Sequence, residues 1–287
     1  MSSKSLFSQI ISRVRADHSN GVKTSNEHWD SWHKKHKMSE SQNRAIKTVN
    51  NKLRRIMKSP LKYRLDLIFK RMMQKETNKI LDIGCAPGDW LVYFQREFDF
   101  EVYGVDYSKK GCEVTKEALS KNGVEGTIIC EDIFTKGFQT KYLEYFNVVF
   151  SAGVVEHFTD PTEIIRIHLE MIIKGGFLII MMPNYANGSL YRKWYQRKMS
   201  AERELLKTHN TELMEIPKFK EYLEEFNLQV DLLNYVGPIN LTMMLPFRSR
   251  FLTSIFSAIN VFVGYLTIFL NSDVFSPYIV LIARKLG

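Results

Sequence analysis

Acidic and glycine residues cluster around a short apolar run early in this sequence. Asp82 lies inside the run Ile80–Ile83, which has the composition of a strand buried on both faces. Gly84 and Gly88 follow and allow the backbone to turn closely around a ligand. Asp106 ends the next apolar run, 18 residues after Gly88, where an acid can hold ribose hydroxyls. The spacing predicts a site for a nucleotide-containing cofactor.

Two further apolar runs, 126–133 and 146–151, also end in polar residues. Four strands that alternate with helices indicate a doubly wound parallel sheet, in which ligands bind at the carboxyl ends of the strands. We therefore expect Asp106, Asp132 and Ser151 to lie along the same edge of the sheet as the glycine turn. A nicotinamide-binding turn is disfavoured, because Pro87 interrupts the turn and the third glycine is missing.

Glu156 and His157 follow the fourth run and add groups that can exchange protons. At the mouth of the crevice an imidazole could take a proton from a substrate hydroxyl. The alternative is that His157 begins a helix and its ring hydrogen-bonds the backbone. The sequence leaves both interpretations open.

These motifs together resemble the class I S-adenosylmethionine-dependent methyltransferases. The points of match are the turn 82–88, Asp106, Asp132 and the stretch 151–161, and the last of these is similar to the subgroup of ubiquinone-biosynthesis and other small-molecule methyltransferases. The resemblance spans about residues 80–233 and 277–285. It implies an α/β fold with a Rossmann-like seven-stranded sheet in the order 3-2-1-4-5-7-6 and an antiparallel last strand.

The resemblance also implies where S-adenosylmethionine binds. Asp82 and the glycine turn would hold its methionine part, Asp106 its ribose, and Asp132 with Ile133 its adenine, on which Tyr107 would stack. Ala86 departs from the family, since many members carry glycine there. The expected cofactor-binding residues are Asp82, Gly84, Cys85, Ala86, Gly88, Trp90, Asp106, Tyr107, Asp132, Ile133 and Ser151.

On the acceptor side, the resemblance implies catalytic roles for Glu156, His157 and His209. An N-terminal aromatic segment and an insertion after the fifth strand are expected to line the substrate pocket. Metal-dependent relatives carry Glu-x-x-Glu-His, but Gly153 replaces the first acid here, so we expect no metal. The expected substrate-binding residues are Trp29, Trp32, Tyr185, Tyr191, Trp194 and Tyr195.

Composition and charge predict the organisation of the chain. A hydrophobic fraction of 45% in 287 residues is enough for a sizeable core. Residues 1–76 hold 18 Lys and Arg against 6 Asp and Glu, which predicts a basic helical extension or lid. Residues 1–16 are compatible with a transit peptide, a surface-docking helix, or a helix packed on the protein itself. Three cysteines show no pairing pattern and favour a reducing, cytoplasmic compartment.

A hydrophobic insertion, 237–272, separates the last two predicted strands and divides the methyltransferase domain into 77–236 and 273–287. Within it, residues 251–272 are 22 consecutive uncharged residues, a length compatible with a membrane span. A single crossing would place the last strand on the wrong side of the membrane, so it is excluded. A helix in a membrane interface, a tunnel wall and a surface for homo-oligomers remain. We expect Thr253, Asn260 and Thr267 to face polar surroundings, and Phe256, Phe262 and Phe269 to point away from them.

The function expected is methyl transfer to a hydrophobic small molecule, lipid- or isoprenoid-like, most simply at oxygen, by a protein that is cytoplasmic or peripherally bound to membrane. An RNA methyltransferase is an alternative, because Ala86-Pro-Gly-Asp-Trp90 resembles a turn of RNA ribose methyltransferases. The Lys-Asp-Lys-Glu constellation of those enzymes is missing, so nucleic acid is a disfavoured partner. A non-catalytic, membrane-associated scaffold with this fold is the second alternative.

Overall fold

A computed structural model of the protein describes residues 22, 24, 29–30, 60–72, 79–198, 208–241 and 259–287. Its strands form one sheet in the order β3-β2-β1-β4-β5-β7-β6. Strands β1 to β5 are parallel, and β7 is antiparallel to both β5 and β6. The predicted fold class and strand order are confirmed. The strands are β1 (Lys79–Ile83), β2 (Glu101–Val105), β3 (Gly126–Ile129), β4 (Phe146–Ala152), β5 (Ile172–Pro183), β6 (Leu228–Val236) and β7 (Tyr278–Lys285).

Helices cover both faces of the sheet, and two short 3-10 helices, Val155–His157 and Thr211–Met214, lie at its carboxyl edge. The last helix, α8, is described over residues 259–266. The division of the chain into an extension, a methyltransferase domain and an insertion stays a prediction. The other helices are α1 (Pro60–Met72), α2 (Asp89–Phe98), α3 (Lys109–Asn122), α4 (Lys136–Lys141), α5 (Thr162–Met171), α6 (Leu190–Lys198) and α7 (Ile216–Leu223).

Alternation along the strands divides the core into two layers. In β1, Leu81 and Ile83 face α4, α5 and α7, whereas Ile80 faces α1, α2 and α3. Helix α1 turns its apolar side to the sheet, since Leu65 and Phe69 are buried in the second layer. Burial on both faces explains why the strands are almost continuously apolar.

The insertion leaves and re-enters the sheet at the edge where the parallel strands end, because the start of β7 pairs with Pro183 at the end of β5. In its described part the chain is helical only over 259–266 and turns at 267–269, so the expectation of a helix that reaches residue 272 is wrong. Asn260 and Thr267 accept hydrogen bonds from backbone N–H groups, as expected of a polar stripe. Phe262 and Phe269 point into solvent, so the expectation that they avoid polar surroundings is wrong for the protein alone. Thr253 and Phe256 lie outside the described residues. Within the described ranges, no helix combines the length and apolarity that crossing a bilayer requires.

The cysteines require a correction. Cys112 in α3 and Cys130 after β3 form a disulfide, with their Cα atoms 6.0 Å apart. The prediction of no pairing is wrong because α3 returns antiparallel to β3, which brings residues 18 positions apart into contact. Cys85 keeps a free, buried thiol. The inference of a reducing compartment rested on unpaired cysteines and loses that support.

Candidate active site

The turn after β1 has a backbone that only glycine adopts easily. Gly84 has φ +72°, and a Cβ there would lie 2.6 Å from Cγ2 of Val154. Gly88 has φ +94°, and its Cβ would lie 3.1 Å from Cγ2 of Thr115 in α3. Because glycine has no Cβ, both residues adopt a positive φ easily and let the turn approach Val154 and Thr115 closely. The result is a tight loop that leads from the end of β1 into α2.

Asp82 is buried beneath this turn with one carboxylate oxygen, Oδ2, that has no hydrogen-bond partner among the described residues. Burial raises the pKa of Asp82 well above its ordinary value, and the nearby Asp106 raises it further. A buried carboxylate of this kind is costly unless a positive group pairs with it. The site therefore fits a ligand that carries an ammonium group.

Asp106 is held at the end of β2 by the start of α3. The backbone N–H of Ser108 donates to its Oδ1 at 2.8 Å. Ser108 also caps α3, because its Oγ accepts from the N–H of Gly111 at 2.9 Å. A Cβ at Gly111 would lie 3.0 Å from Oδ2 of Asp106, so glycine gives that carboxylate room. The acid is fixed in a position that suits ribose hydroxyls.

The residues expected around adenine lie at the tip of β3 and after β2. Asp132 is exposed, and its Oδ1 accepts from the N–H of Phe134 at 3.0 Å. Ile133 is buried, and Tyr107 is 39% exposed. The three residues thus combine an apolar floor with an accessible aromatic ring and an acid, which suits a purine. Their assigned roles stay predictions.

Trp90, also expected at the cofactor, makes its ring contacts in the core instead. Its ring centroid lies 5.3 Å from that of Phe150 and 5.6 Å from that of Tyr93. The Nζ of Lys62 in α1 lies 5.8 Å from the same ring. These contacts account for the tryptophan by packing between α1, α2 and the sheet. Cys85 is likewise buried, with its sulfur 3.9 Å from Oγ1 of Thr115.

Ser151 at the end of β4 hydrogen-bonds a histidine that the sequence did not indicate. His168 in α5 is fully buried, and its Nδ1 donates to the carbonyl oxygen of Ile164 at 2.7 Å. Its Nε2 therefore accepts from Oγ of Ser151 at 3.0 Å. Burial lowers the pKa of His168 to about 4, so the ring is neutral. A histidine on the apolar side of a helix gives no separate signal in the sequence.

The three predicted catalytic residues do converge. Glu156 and His157 lie in the 3-10 helix after β4, and His209 precedes the second 3-10 helix. The rings of His157 and His209 have centroids 4.6 Å apart. Asn210, which the sequence did not indicate, joins the two segments, since its N–H donates to the carbonyl oxygen of Glu156 at 2.6 Å. Its side-chain amide donates to the carbonyl oxygens of Phe158 and Thr159.

The hydrogen bond of His157 fixes its tautomer. Its Nδ1 lies 2.6 Å from the carbonyl oxygen of Thr208, and a carbonyl can only accept. Nδ1 therefore carries the proton, and in the neutral ring Nε2 is the proton acceptor. The hydrogen bond from the ring to the backbone is found, whereas a catalytic role for Nε2 stays a prediction.

Glu156 is buried, and burial raises its pKa to about 8, so it is mostly protonated at neutral pH. Its Oε1 would lie 3.6 Å from a Cβ at Gly153, the position where metal-dependent relatives carry an acid. Ligand atoms of Glu156, His157 and His209 all lie within 4.8 Å of one another, so this cluster is where a cation could be held. The expectation of no metal stays a prediction.

A part of the N-terminal segment lies across this site. The Trp29 ring packs edge-on against His157, with centroids 5.1 Å apart, and its Nε1 donates to Oγ1 of Thr24. Next to it, Asp30 accepts from Oγ of Ser108 at 2.6 Å. The segment thus reaches from Ser108, which holds Asp106, to the histidine cluster. Its role as a lid stays a prediction. Trp32 lies outside the described residues.

The other expected substrate-side residues differ in position. Tyr185 lies beside the cluster, with its ring centroid 6.0 Å from that of His209. Tyr191 is buried, and its hydroxyl donates to the carbonyl oxygen of Phe275 and accepts from the N–H of Asn240. Tyr191 therefore joins α6 to the start of the insertion and to the segment that follows its end. Trp194 is half-buried, and the side chain of Tyr195 lies outside the described part of the chain.

Replacing Tyr191 with phenylalanine should test this structural role. Both backbone groups that it joins would lose a partner, and we expect a loss of about 1–3 kcal/mol in the free energy of unfolding. Urea denaturation would measure the loss, with Tyr63→Phe on an exposed tyrosine as the matched control. A change in acceptor KM at unaltered stability would instead support substrate binding by Tyr191.

Comparison with known proteins agrees with this geometry. A family model described as a methyltransferase domain matches residues 53–233, which is more than half of the chain. A ubiquinone biosynthesis O-methyltransferase of Proteus mirabilis is 26% identical over 178 residues, covering 62% of this chain and 66% of that protein. An uncharacterized methyltransferase of Schizosaccharomyces pombe is 28% identical over 134 residues, covering 44% of this chain and 47% of that protein. The chain thus spans between about half and two thirds of the length of these relatives.

Among solved structures, the plantazolicin methyltransferase BamL in complex with SAH and a substrate analogue is similar in fold, with a TM-score of 0.52 at 15% identity. The similarity covers 86% of this chain and 96% of that one. The unpartnered carboxylate of Asp82, the glycine turn and the fixed Asp106 all suit S-adenosylmethionine. The chain belongs to the S-adenosylmethionine-dependent methyltransferases.

Proposed function

We propose that the protein methylates a hydroxyl oxygen of a hydrophobic small molecule. The observation that carries this proposal is the hydrogen bond of His157 to Thr208, which makes Nε2 the unprotonated ring nitrogen, at the carboxyl edge of the sheet. The ubiquinone O-methyltransferases among the relatives support the same reaction class. The aromatic rings of Trp29 and Tyr185, on either side of the histidine cluster, favour an apolar acceptor.

When bound, S-adenosylmethionine would supply an electrophilic methyl group. Asp82 would pair with the amino group of its methionine part, the turn 84–88 would approach it closely, and Asp106 would hold its ribose. Orientation of this kind can contribute roughly 7–11 kcal/mol to lowering a barrier in favourable cases. The protein's main task is therefore alignment.

His157 would take the proton of the acceptor hydroxyl at Nε2 while Thr208 holds Nδ1. The fixed tautomer removes the need for the ring to reorient before it accepts the proton. The N-terminal segment around Trp29 would cover the cluster and reduce the access of water. Glu156, protonated at neutral pH, adds no negative charge there.

Label transfer tests this function. The protein would be incubated with S-adenosylmethionine labelled in its methyl group and a crude lipid extract, and the organic phase would be counted. We expect organic-soluble label that resists mild alkali, as a methyl ether does. Label in added RNA would support the RNA alternative, which no relative reported above suggests. Absence of transfer with intact cofactor binding would favour the scaffold alternative.

A further inference from the structure

An apolar ridge lies on the outer side of α8 and the turn that follows it. Ile259, Phe262 and Leu266 are spaced three and four residues apart, so they share one side of α8, and Phe269 follows three residues later in the turn. Phe262, Leu266 and Phe269 are 66%, 71% and 66% exposed. Large apolar side chains at a surface are ordinarily scattered singly, and a continuous row of them marks an interaction site.

The opposite side of α8 is fixed to the body of the protein. Asn260 Oδ1 accepts from the N–H of Leu241 at 2.6 Å, and Thr267 Oγ1 accepts from the N–H of Ile239 at 3.1 Å. At Gly264 the helix lies so close to α1 that a Cβ would be 2.8 Å from Cγ of Pro60. Because these contacts hold the helix in one rotation, it cannot turn the ridge towards the described part of the protein without breaking them.

Helix α1 extends the apolar surface. Tyr63 and Leu67, one turn apart, are 42% and 40% exposed. The ring of Tyr63 lies 6.4 Å from that of Tyr265 in α8, and the guanidinium of Arg64 lies 5.4 Å from the ring of Phe269. The two helices thus form one continuous face, which we call the ridge surface: Tyr63, Leu67, Ile259, Phe262, Leu266 and Phe269.

The charges that border the ridge surface are mainly positive. In α1, Lys70 is exposed, whereas the acid Asp66 is buried and accepts from the hydroxyl of Tyr93 at 2.6 Å. Over residues 237–277 the sequence contains a single acid, Asp273. Protruding aromatic and leucine side chains with cations beside them are complementary to the interface of an anionic membrane.

We propose that the ridge surface docks the protein on an anionic lipid bilayer. Phe262, Leu266 and Phe269 enter the boundary between headgroups and acyl chains, and the cations of α1 meet the headgroups. These three side chains are about two thirds exposed and so protrude from the surface, which suits insertion into lipid better than packing against a rigid second copy. The insertion lies at the sheet edge that also carries the candidate active site, so docking would bring that edge close to the membrane. This inference does not depend on the identity of the acceptor.

Flotation of the full chain with vesicles tests the proposal. We expect binding to phosphatidylcholine vesicles that contain phosphatidylglycerol, and binding weaker by about fivefold for each participating cation when phosphatidylglycerol is omitted. Replacing Phe262 and Leu266 together with aspartate should lower the partition coefficient by about a hundredfold, because two apolar side chains no longer enter the interface.

The matched control replaces Leu143 and Val230 with aspartate, which changes the charge equally at exposed positions near the opposite sheet edge. Calorimetry with S-adenosylhomocysteine reports whether each variant keeps its fold, independently of turnover. The proposal holds if only the ridge variant leaves the vesicles while both variants bind the ligand. It is overturned if the ridge variant still floats with the vesicles. It is also overturned if the wild type does not bind vesicles and sedimentation shows that the wild type forms a dimer, which the ridge variant does not form.

Discussion

Replacing Asp82 with asparagine should weaken S-adenosylmethionine binding by about a hundredfold, since the ligand's cation would lose a charge-assisted hydrogen bond in a buried site. The unpartnered Oδ2 motivates this expectation, because no described side chain competes for it. Asp132→Asn is the matched control, and its exposed side chain should lose much less. Calorimetry measures both affinities. Equal affinities for the wild type and Asp82→Asn would contradict the assigned role.

The same substitution should not destabilise the cofactor-free protein. The pKa of Asp82 is raised in the folded state, so between its ordinary value and the raised value the native state binds more protons than the unfolded state. The free energy of unfolding of the wild type therefore falls as pH rises through this window. Asparagine removes the dependence. Thermal melting of both proteins should show the variant gaining relative stability as pH rises, and a stability loss at neutral pH would argue against an unpaired carboxylate.

Replacing His157 with asparagine should reduce kcat by about 10²–10⁴-fold, the contribution typical of a positioned general base. Asparagine places an amide N–H near the position of Nδ1, so the bond to the carbonyl oxygen of Thr208 can persist while the basic nitrogen is lost. Single-turnover assays with an acceptor identified by label transfer would measure the rate. Cofactor affinity and melting temperature should stay unchanged, which separates a catalytic role from a structural one.

Two controls accompany the His157 variant. His209→Asn removes the neighbouring ring, and we expect it to raise acceptor KM more than it lowers kcat. Chelation with EDTA addresses the cluster of Glu156, His157 and His209 directly. If EDTA abolished turnover and Mg²⁺ restored it, the cluster would hold a cation, and neither the base role nor the expected absence of metal would stand.

The strands of the sheet, and the edge at which the cofactor is expected, could be predicted from the sequence because short stretches of residues specify them. Apolar runs such as Ile80–Ile83 specify strands, and an acid at the end of a run must lie at the edge where that strand ends. For this reason Asp82 and Asp106 could be assigned without knowledge of any contact. The strand order itself came from the family resemblance.

Contacts between segments that are distant in the chain could not be predicted from the sequence. The bond from Asn210 to Glu156 and that from Asp30 to Ser108 join residues more than 50 positions apart, and no periodic pattern reports them. Tyr191 is a different case. Its aromatic ring in a polar stretch suggested a ligand contact, which stays a prediction, and the sequence did not indicate that its hydroxyl joins the backbone groups of Asn240 and Phe275. Whether an aromatic side chain contacts a ligand or the rest of the protein depends on where it is buried, and burial depends on tertiary structure.

The connection between β6 and β7 also bears on how the chain assembles. These strands pair along their whole length, yet about 40 residues separate Val236 from Tyr278. Closing so long a loop instead of a tight hairpin costs roughly 2 kcal/mol more chain entropy, at about 0.6 kcal/mol per doubling of length. The side-chain amide of Asn184, which donates to the carbonyl oxygens of Asp273 and Ser276, holds the returning end of the loop against β5. We therefore expect β6 and β7 to pair late in folding, after the parallel strands have formed and β5 is available for pairing with β7.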